Sequence, residues 1–94
     1  MNEKVSEVCG KVWHELGFRN GTATADQLAR AVGEDLDLVN LALGWLAREE
    51  KVAFSDERNR KMFSLVESEM QIFRQFYKDG RPKSKNDFWK RLLQ

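Results

Sequence analysis

Apolar residues near the start of the chain recur at the spacing of an α-helix. They follow the order i, i+3, i+4, i+7, i+8 and i+11, which places them on one side of a helix. These residues are Val5, Val8, Cys9, Val12, Trp13 and Leu16. The pattern predicts a first helix that ends at Gly17, with Cys9 as a small core residue and His14 at the surface.

A second helix is predicted where Thr24 is followed three residues later by Gln27, the spacing of a capping box. Residues 18–24, which precede it, predict a turn and one short strand. The buried side of this helix should carry Leu28, Ala29 and Val32, and Gly33 should end it.

A third helix, predicted to run from about residue 35 to residue 49 with Asp35 at its N-cap, is apolar over more than half of its circumference. Beside its main apolar face lies a second one, formed by Leu38, Leu41 and Trp45. A helix that rests on one small core needs less apolar surface. We therefore expect either the rest of the chain or a partner to cover this second face.

Alternating residues after the third helix predict a β-hairpin. Val52 and Phe54 occupy alternate positions before a charged turn at residues 55–61, and Phe63 and Leu65 occupy alternate positions after it. Residues 1–66 thus have the order of a winged helix-turn-helix domain. The expected fold class is α+β, mainly α, with three helices plus a small β-hairpin wing.

Residues 67–94 predict a helical C-terminal extension that packs on the domain or mediates assembly. An aromatic-faced helix should carry Met70, Phe73, Phe76 and Tyr77. Residues 78–87 form a basic break, and residues 86–93 predict a short capped helix with Phe88, Trp89 and Leu92.

Charge is distributed unevenly along the 94 residues, although the net charge is only +1. Residues 1–66 hold nine Lys or Arg and eleven Asp or Glu, giving −2, whereas residues 67–94 hold seven and four, giving +3. A strongly basic surface would favour nucleic acid, and only the extension is mildly basic.

Other functional classes lack the residues that they require. One cysteine and one histidine cannot form a tetrahedral zinc site, and there is no phosphate-binding loop or nucleophile–base set. We therefore expect a protein that is not an enzyme and binds no cofactor. No segment is long and apolar enough for a membrane span or a signal peptide, so a cytoplasmic protein is expected.

Two segments resemble a family of small prokaryotic winged helix-turn-helix proteins of uncharacterised function. Gly10, Val12 and Trp13 match a G-x-V-W pattern, and residues 42–49 match A-L-G-W-L-x-R-E, followed by a basic residue at Lys51. The resemblance covers about residues 3–66. It implies a winged-helix fold with DNA-related or regulatory roles.

The first functional hypothesis is binding of double-stranded DNA. The third helix would enter the major groove and the wing would contact the backbone. The candidate residues are Asn40, Gly44, Arg48, Arg58, Asn59, Arg60 and Lys61. Against this hypothesis, residues 34–50 contain five acids and one base, and acids near phosphate weaken binding. The bases of the extension could supply the missing attraction.

The alternative is a protein-interaction or dimerisation module on the same frame, without DNA binding. Its candidate interface is Leu38, Leu41 and Trp45, because an exposed cluster of large apolar residues often marks a partner surface. The extension could cover this face within one chain or across a homodimer. Membrane binding by the amphipathic segment at residues 88–93 is disfavoured, because the segment is too short.

Overall fold

The computed structural model describes residues 3–77 as four helices and one antiparallel hairpin. The elements, in chain order, are α1 (Glu3–Arg19), α2 (Ala25–Val32), α3 (Leu36–Arg48), β1 (Val52–Glu57), β2 (Arg60–Leu65) and α4 (Glu67–Phe76). This order confirms the predicted three helices, wing and first helix of the extension. The predicted basic break at residues 78–87 and the final helix at residues 86–93 lie outside the described residues.

The first helix runs through Gly17 and ends at Arg19, so the prediction that Gly17 ends it is wrong. Gly17 is buried beneath α4, and a Cβ atom added there would lie 2.6 Å from Cγ of Phe73. The glycine is needed for close approach of an aromatic ring, which the spacing of apolar residues within α1 could not indicate.

The predicted ends of α2 are confirmed. The hydroxyl of Thr24 accepts a hydrogen bond from the backbone N–H of Gln27 at 3.1 Å, and the side-chain oxygen of Gln27 accepts one from the N–H of Thr24 at 2.9 Å. Gly33 ends the helix with φ at +72°, in the left-handed region that glycine favours. Asp35 occupies the N-cap position of α3 but makes no side-chain capping bond.

The hairpin turns more tightly than the sequence suggested. Its register pairs Val52 with Leu65 at one end and Glu57 with Arg60 at the other, leaving only Arg58 and Asn59 in the turn. The prediction of a turn spanning residues 55–61 is therefore wrong, because polar residues continue the strands beyond the apolar alternation. The short strand expected before α2 is present as one bridge between Ala23 and Phe63, with N–O distances of 2.9 and 2.8 Å.

The core lies between α1, α2, α3 and the base of the wing. Its fully buried large side chains are Val8, Val12, Leu16, Leu28, Val39 and Leu43. Cys9 is buried, as predicted, and burial raises the pKa of its thiol above the ordinary value. The apolar stripe of α1 and the main apolar face of α3 therefore serve the same core.

The first helix of the extension packs on α1. Met70 and Phe73 are buried there, and the indole N–H of Trp13 donates a hydrogen bond to Glu69 at 2.9 Å. His14 lies at this junction and is half-buried, so the expectation that it is at the surface is wrong. The reason is that α4 covers a side of α1 that the stripe left polar.

Candidate nucleic-acid interface

Three elements converge on a groove of about 520 Å³ beside the wing. Asn40 of α3 and the bases Arg60 and Lys61 of β2 line it together with Arg30 of α2. We call this the wing groove. Sequence reasoning had placed Asn40, Arg60 and Lys61 in one candidate site, and the structure brings these three together. It had missed Arg30, although the polar outer side of α2 was a usable signal.

The exposed side of α3 continues away from the wing groove. Asn40, Gly44 and Arg48 follow one another at intervals of four residues and are all exposed, so they form one stripe along the helix. A Cβ atom at Gly44 would meet nothing within 4 Å, so this stretch of helix is open. The guanidinium of Arg48 lies 5.9 Å from the centre of the Trp45 ring, a cation–π distance.

The wing carries its bases at and beside its tip. Arg58 and Asn59 form the turn with φ of +50° and +64°, so both occupy the left-handed region. The Nζ atom of Lys61 lies 4.9 Å from the centre of the exposed Phe54 ring. Across the hairpin, Asp56 is paired in register with Lys61.

The basic side chains of residues 3–77 fall into two groups. Those of α1, α4 and the entry to β1 each lie within ion-pair distance of a carboxylate, namely Lys4, Lys11, Arg19, Lys51 and Arg74. By contrast, the structure places no carboxylate of residues 3–77 within that distance of Arg30, Arg48, Arg58, Arg60 or Lys61. The bases without a carboxylate partner are thus those of α2, α3 and the wing.

The acids around α3 are less opposed to an anionic ligand than their number suggests. Glu34 is directed to α1, where its carboxylate lies 2.8 Å from Nζ of Lys11 and 3.0 Å from Nζ of Lys4. Burial acts to raise the pKa of Glu34, but the hydrogen bonds from both lysines outweigh burial and hold that pKa below its ordinary value. Glu49 lies 4.0 Å from Lys51. Asp35, Asp37 and Glu50 remain exposed.

The candidate partner face does not form one uniformly exposed patch. Leu41 is 60% exposed, whereas Leu38 and Trp45 are half-buried and pack against the core. Trp45 also lines a second groove, on the side of the molecule formed by α1 and α4. Of these three residues, only Leu41 therefore offers a large exposed apolar surface beside the stripe of α3.

Other kinds of site find little support in the part of the chain that the structure describes. Among residues 3–77, no group of three or more His, Cys, Asp or Glu side chains is placed to hold a metal ion. Within the same residues, no helix has the length and apolar character needed to cross a bilayer.

Three helices followed by a two-stranded hairpin, with the third helix exposed beside the wing, define a winged helix-turn-helix domain. Residues 1–65 match the family of winged helix-turn-helix domains designated DUF2582, and the chain belongs to this family.

One curated relative is the uncharacterised protein MJ1608 of Methanocaldococcus jannaschii. It is 36% identical over 50 residues, which cover 52% of this chain and 71% of that protein. The solution structure of protein BT2368 from Bacteroides thetaiotaomicron is also similar, with 34% identity and a TM-score of 0.60. That match covers 69% of this chain and 79% of BT2368. Relatives therefore occur in both archaea and bacteria.

Two further solved structures share the fold at low sequence identity. A mutant of ZitR from Lactococcus lactis matches 79% of this chain with a TM-score of 0.66 and 18% identity. The adhesin competence repressor AdcR of Streptococcus pyogenes matches 92% with a TM-score of 0.62 and 16% identity. The chain spans 57% of the ZitR chain and 63% of the AdcR chain.

Proposed function

We propose that this protein is a DNA-binding regulatory module that contacts a duplex through α2, α3 and the wing. The observation that carries the proposal is the division of the basic side chains into two groups, those with and those without a carboxylate partner. Basic side chains with a carboxylate partner are already neutralised within the fold. The basic side chains of the three contacting elements remain available to phosphate. Because binding of DNA is driven by neutralisation of phosphates, unpaired bases concentrated on one side are the feature that such binding requires.

The residues divide into two roles on this surface. Arg48 and Asn40 lie on the exposed stripe of α3, where a helix in the major groove meets base edges. Arginine suits guanine and asparagine suits adenine, in each case through two hydrogen bonds. Gly44 lies between them and lets the helix approach the bases closely.

The wing and α2 supply contacts to the backbone. Arg58, Asn59, Arg60 and Lys61 would contact phosphates flanking the bases, and Arg30 would add one on the other side of the wing groove. Such contacts fix the position of the domain on DNA. Among the structural neighbours, AdcR is named a repressor, which agrees with a regulatory role.

Replacing Arg60 by glutamate tests the proposal. It removes a phosphate contact and introduces repulsion, so affinity for a labelled mixed-sequence duplex at 50 mM salt should fall by about tenfold or more. Fluorescence anisotropy of the full chain measures this affinity. The matched control is Arg74→Glu, which changes the net charge equally but lies on α4 beside Glu67. Equal losses in both variants would contradict a specific role for the wing.

A protein-interaction or dimerisation module is the second candidate function, and the exposure of Leu41 favours it. Leu41 adjoins the same stripe as Asn40, so a partner seated there would exclude DNA. Sedimentation of the full chain with and without duplex distinguishes the two. If the chain self-associates, binds no duplex and stays associated when duplex is added, the interaction module is favoured.

A further inference from the structure

A second groove, of about 540 Å³, shares no lining residue with the wing groove. We call it the helix groove. It is bounded by α1, the C-terminal end of α3 and α4, and its lining includes Trp13, Trp45, Ile72 and Phe76. Its volume is within the range of grooves that enclose large apolar groups.

The helix groove has an apolar wall that the described part of the chain leaves open. Ile72 is 43% and Phe76 is 71% exposed, although both are large apolar residues of α4. The helix uses Met70 and Phe73 to pack on α1, so Ile72 and Phe76 are not needed for that contact. Exposed apolar residues that line a concave surface typically mark a binding site.

The sequence that follows α4 has suitable chemistry to fill this groove. Phe88, Trp89, Leu92 and Leu93 are spaced i, i+1, i+4 and i+5, which places them on one side of a helix. Lys90 and Arg91 lie between them. Aromatic side chains contribute the most to such contacts, because each can bury about 150–250 Å².

The connection is long enough to reach the groove. Phe76 lines the groove and is the last residue of α4, so the chain leaves the described structure at the groove itself. Ten residues separate Tyr77 from Phe88, so the eleven Cα–Cα steps between them could span up to about 36 Å. The ten residues of α4 measure only about 15 Å, so the connection is long enough to run back along this helix. Gly80 and Pro82 favour the reversal of direction that is required.

The formal charges of the helix groove and of residues 86–93 are opposite in sign. Two carboxylates, Glu49 and Glu69, and one ammonium, Lys51, line the helix groove. Its formal charge is therefore −1, with His14 as the remaining titratable group besides the Cys9 thiol. Residues 86–93 carry Lys90 and Arg91 against Asp87, a formal charge of +1.

We propose that residues 86–93 dock into the helix groove of their own chain, with Phe88 and Trp89 against Ile72, Phe76 and Trp45. The docked segment completes the apolar wall that α4 begins. This inference does not depend on DNA binding, because the helix groove and the wing groove share no lining residue.

Nuclear magnetic resonance of the full chain tests the proposal directly. We expect nuclear Overhauser effects between the indole of Trp89 and the side chains of Ile72 and Phe76. In the variant Phe88→Ala/Trp89→Ala, the indole N–H signals of Trp13 and Trp45 should shift by more than their linewidths. The matched control is Lys83→Ala/Lys85→Ala in the connection, which should leave both signals in place.

Each alternative result would overturn the assignment. If the Trp13 and Trp45 indole signals do not shift in the double alanine variant and the expected Overhauser effects are missing, residues 86–93 do not occupy the helix groove. Mixing isotope-labelled and unlabelled chains identifies contacts between copies. Overhauser effects found only between copies would show that the segment binds a second chain instead of its own.

Discussion

Gly17 and His14 show how single residues of α1 are defined by a helix that lies far away in sequence. Each position faces α4, and neither belongs to the apolar stripe that predicted α1. Their roles follow from tertiary contacts: Gly17 admits the Phe73 ring, and His14 is covered beside it. At this scale the sequence pattern identifies the core residues but not the residues on which a later helix packs.

Substituting alanine for Gly17 should destabilise the protein. The added methyl group would overlap the Phe73 ring, and overpacking of this kind costs about 1–3 kcal/mol of unfolding free energy. Urea unfolding measures the change. Gly44→Ala is the matched control, because it lies in an open stretch of helix and should stabilise by about 0.5–1 kcal/mol. A neutral Gly17→Ala variant would show that α4 does not pack as described.

His14 should make stability depend on pH just below neutrality. Burial lowers its pKa below the ordinary value of 6.5, although the hydrogen bond that its Nδ1–H donates to the Gly10 carbonyl acts in the opposite direction. The unfolded chain therefore takes up the proton first, and unfolding free energy decreases as pH falls below 6.5. The chain has no other histidine.

Urea unfolding at several pH values between about 7 and 5.5, above the ordinary pKa range of carboxyl groups, measures this dependence. The variant His14→Gln should lose most of it. If that variant keeps the same slope, another group must be responsible.

The wing illustrates how an element can combine structural and functional demands. Its two-residue turn places Arg58 and Asn59 at positive φ, where asparagine is tolerated and arginine is disfavoured. A turn chosen for stability alone would carry Asn-Gly. An arginine at a strained position is in keeping with a role in contacting an anion.

Replacing the turn by Asn-Gly should therefore raise stability and lower affinity for DNA. Arg58→Asn/Asn59→Gly should increase unfolding free energy by about 1 kcal/mol, because the strain of a left-handed arginine is relieved. The loss of one phosphate contact should weaken duplex binding about tenfold at 50 mM salt. Unfolding and anisotropy measurements on the same samples test both parts.

The single variant Asn59→Gly keeps Arg58 and serves as the control. The salt dependence of its duplex affinity should be unchanged. Unaltered duplex binding by the double variant would exclude Arg58 as a contact.

At the scale of the whole molecule, the sequence predicted the fold better than the site. Helix spacing, the capping box at Thr24 and the alternation from Val52 to Leu65 reflect local rules, and all three are confirmed. Which bases are paired depends on side chains distant in sequence, as for Lys11 and Glu34. For the same reason Arg30 was not recognised beside Asn40, and the acids of residues 34–50 were counted without their partners.

The division of the chain into residues 1–66 and 67–94 stays a prediction, as do the candidate site residues. The close packing of α4 on α1 through Phe73 and Glu69 links the start of the extension to the domain. The wing groove and the helix groove share no lining residue, so an extension docked in the helix groove would leave the wing groove open.

The most direct test of DNA binding is the salt dependence of duplex affinity, measured by fluorescence anisotropy with the full chain. If Arg30, Arg58, Arg60 and Lys61 each neutralise a phosphate, affinity should fall by about 100-fold between 50 and 200 mM salt. The absence of binding at 50 mM salt and tens of micromolar protein would contradict the account, because sequence-independent attraction alone should be measurable there.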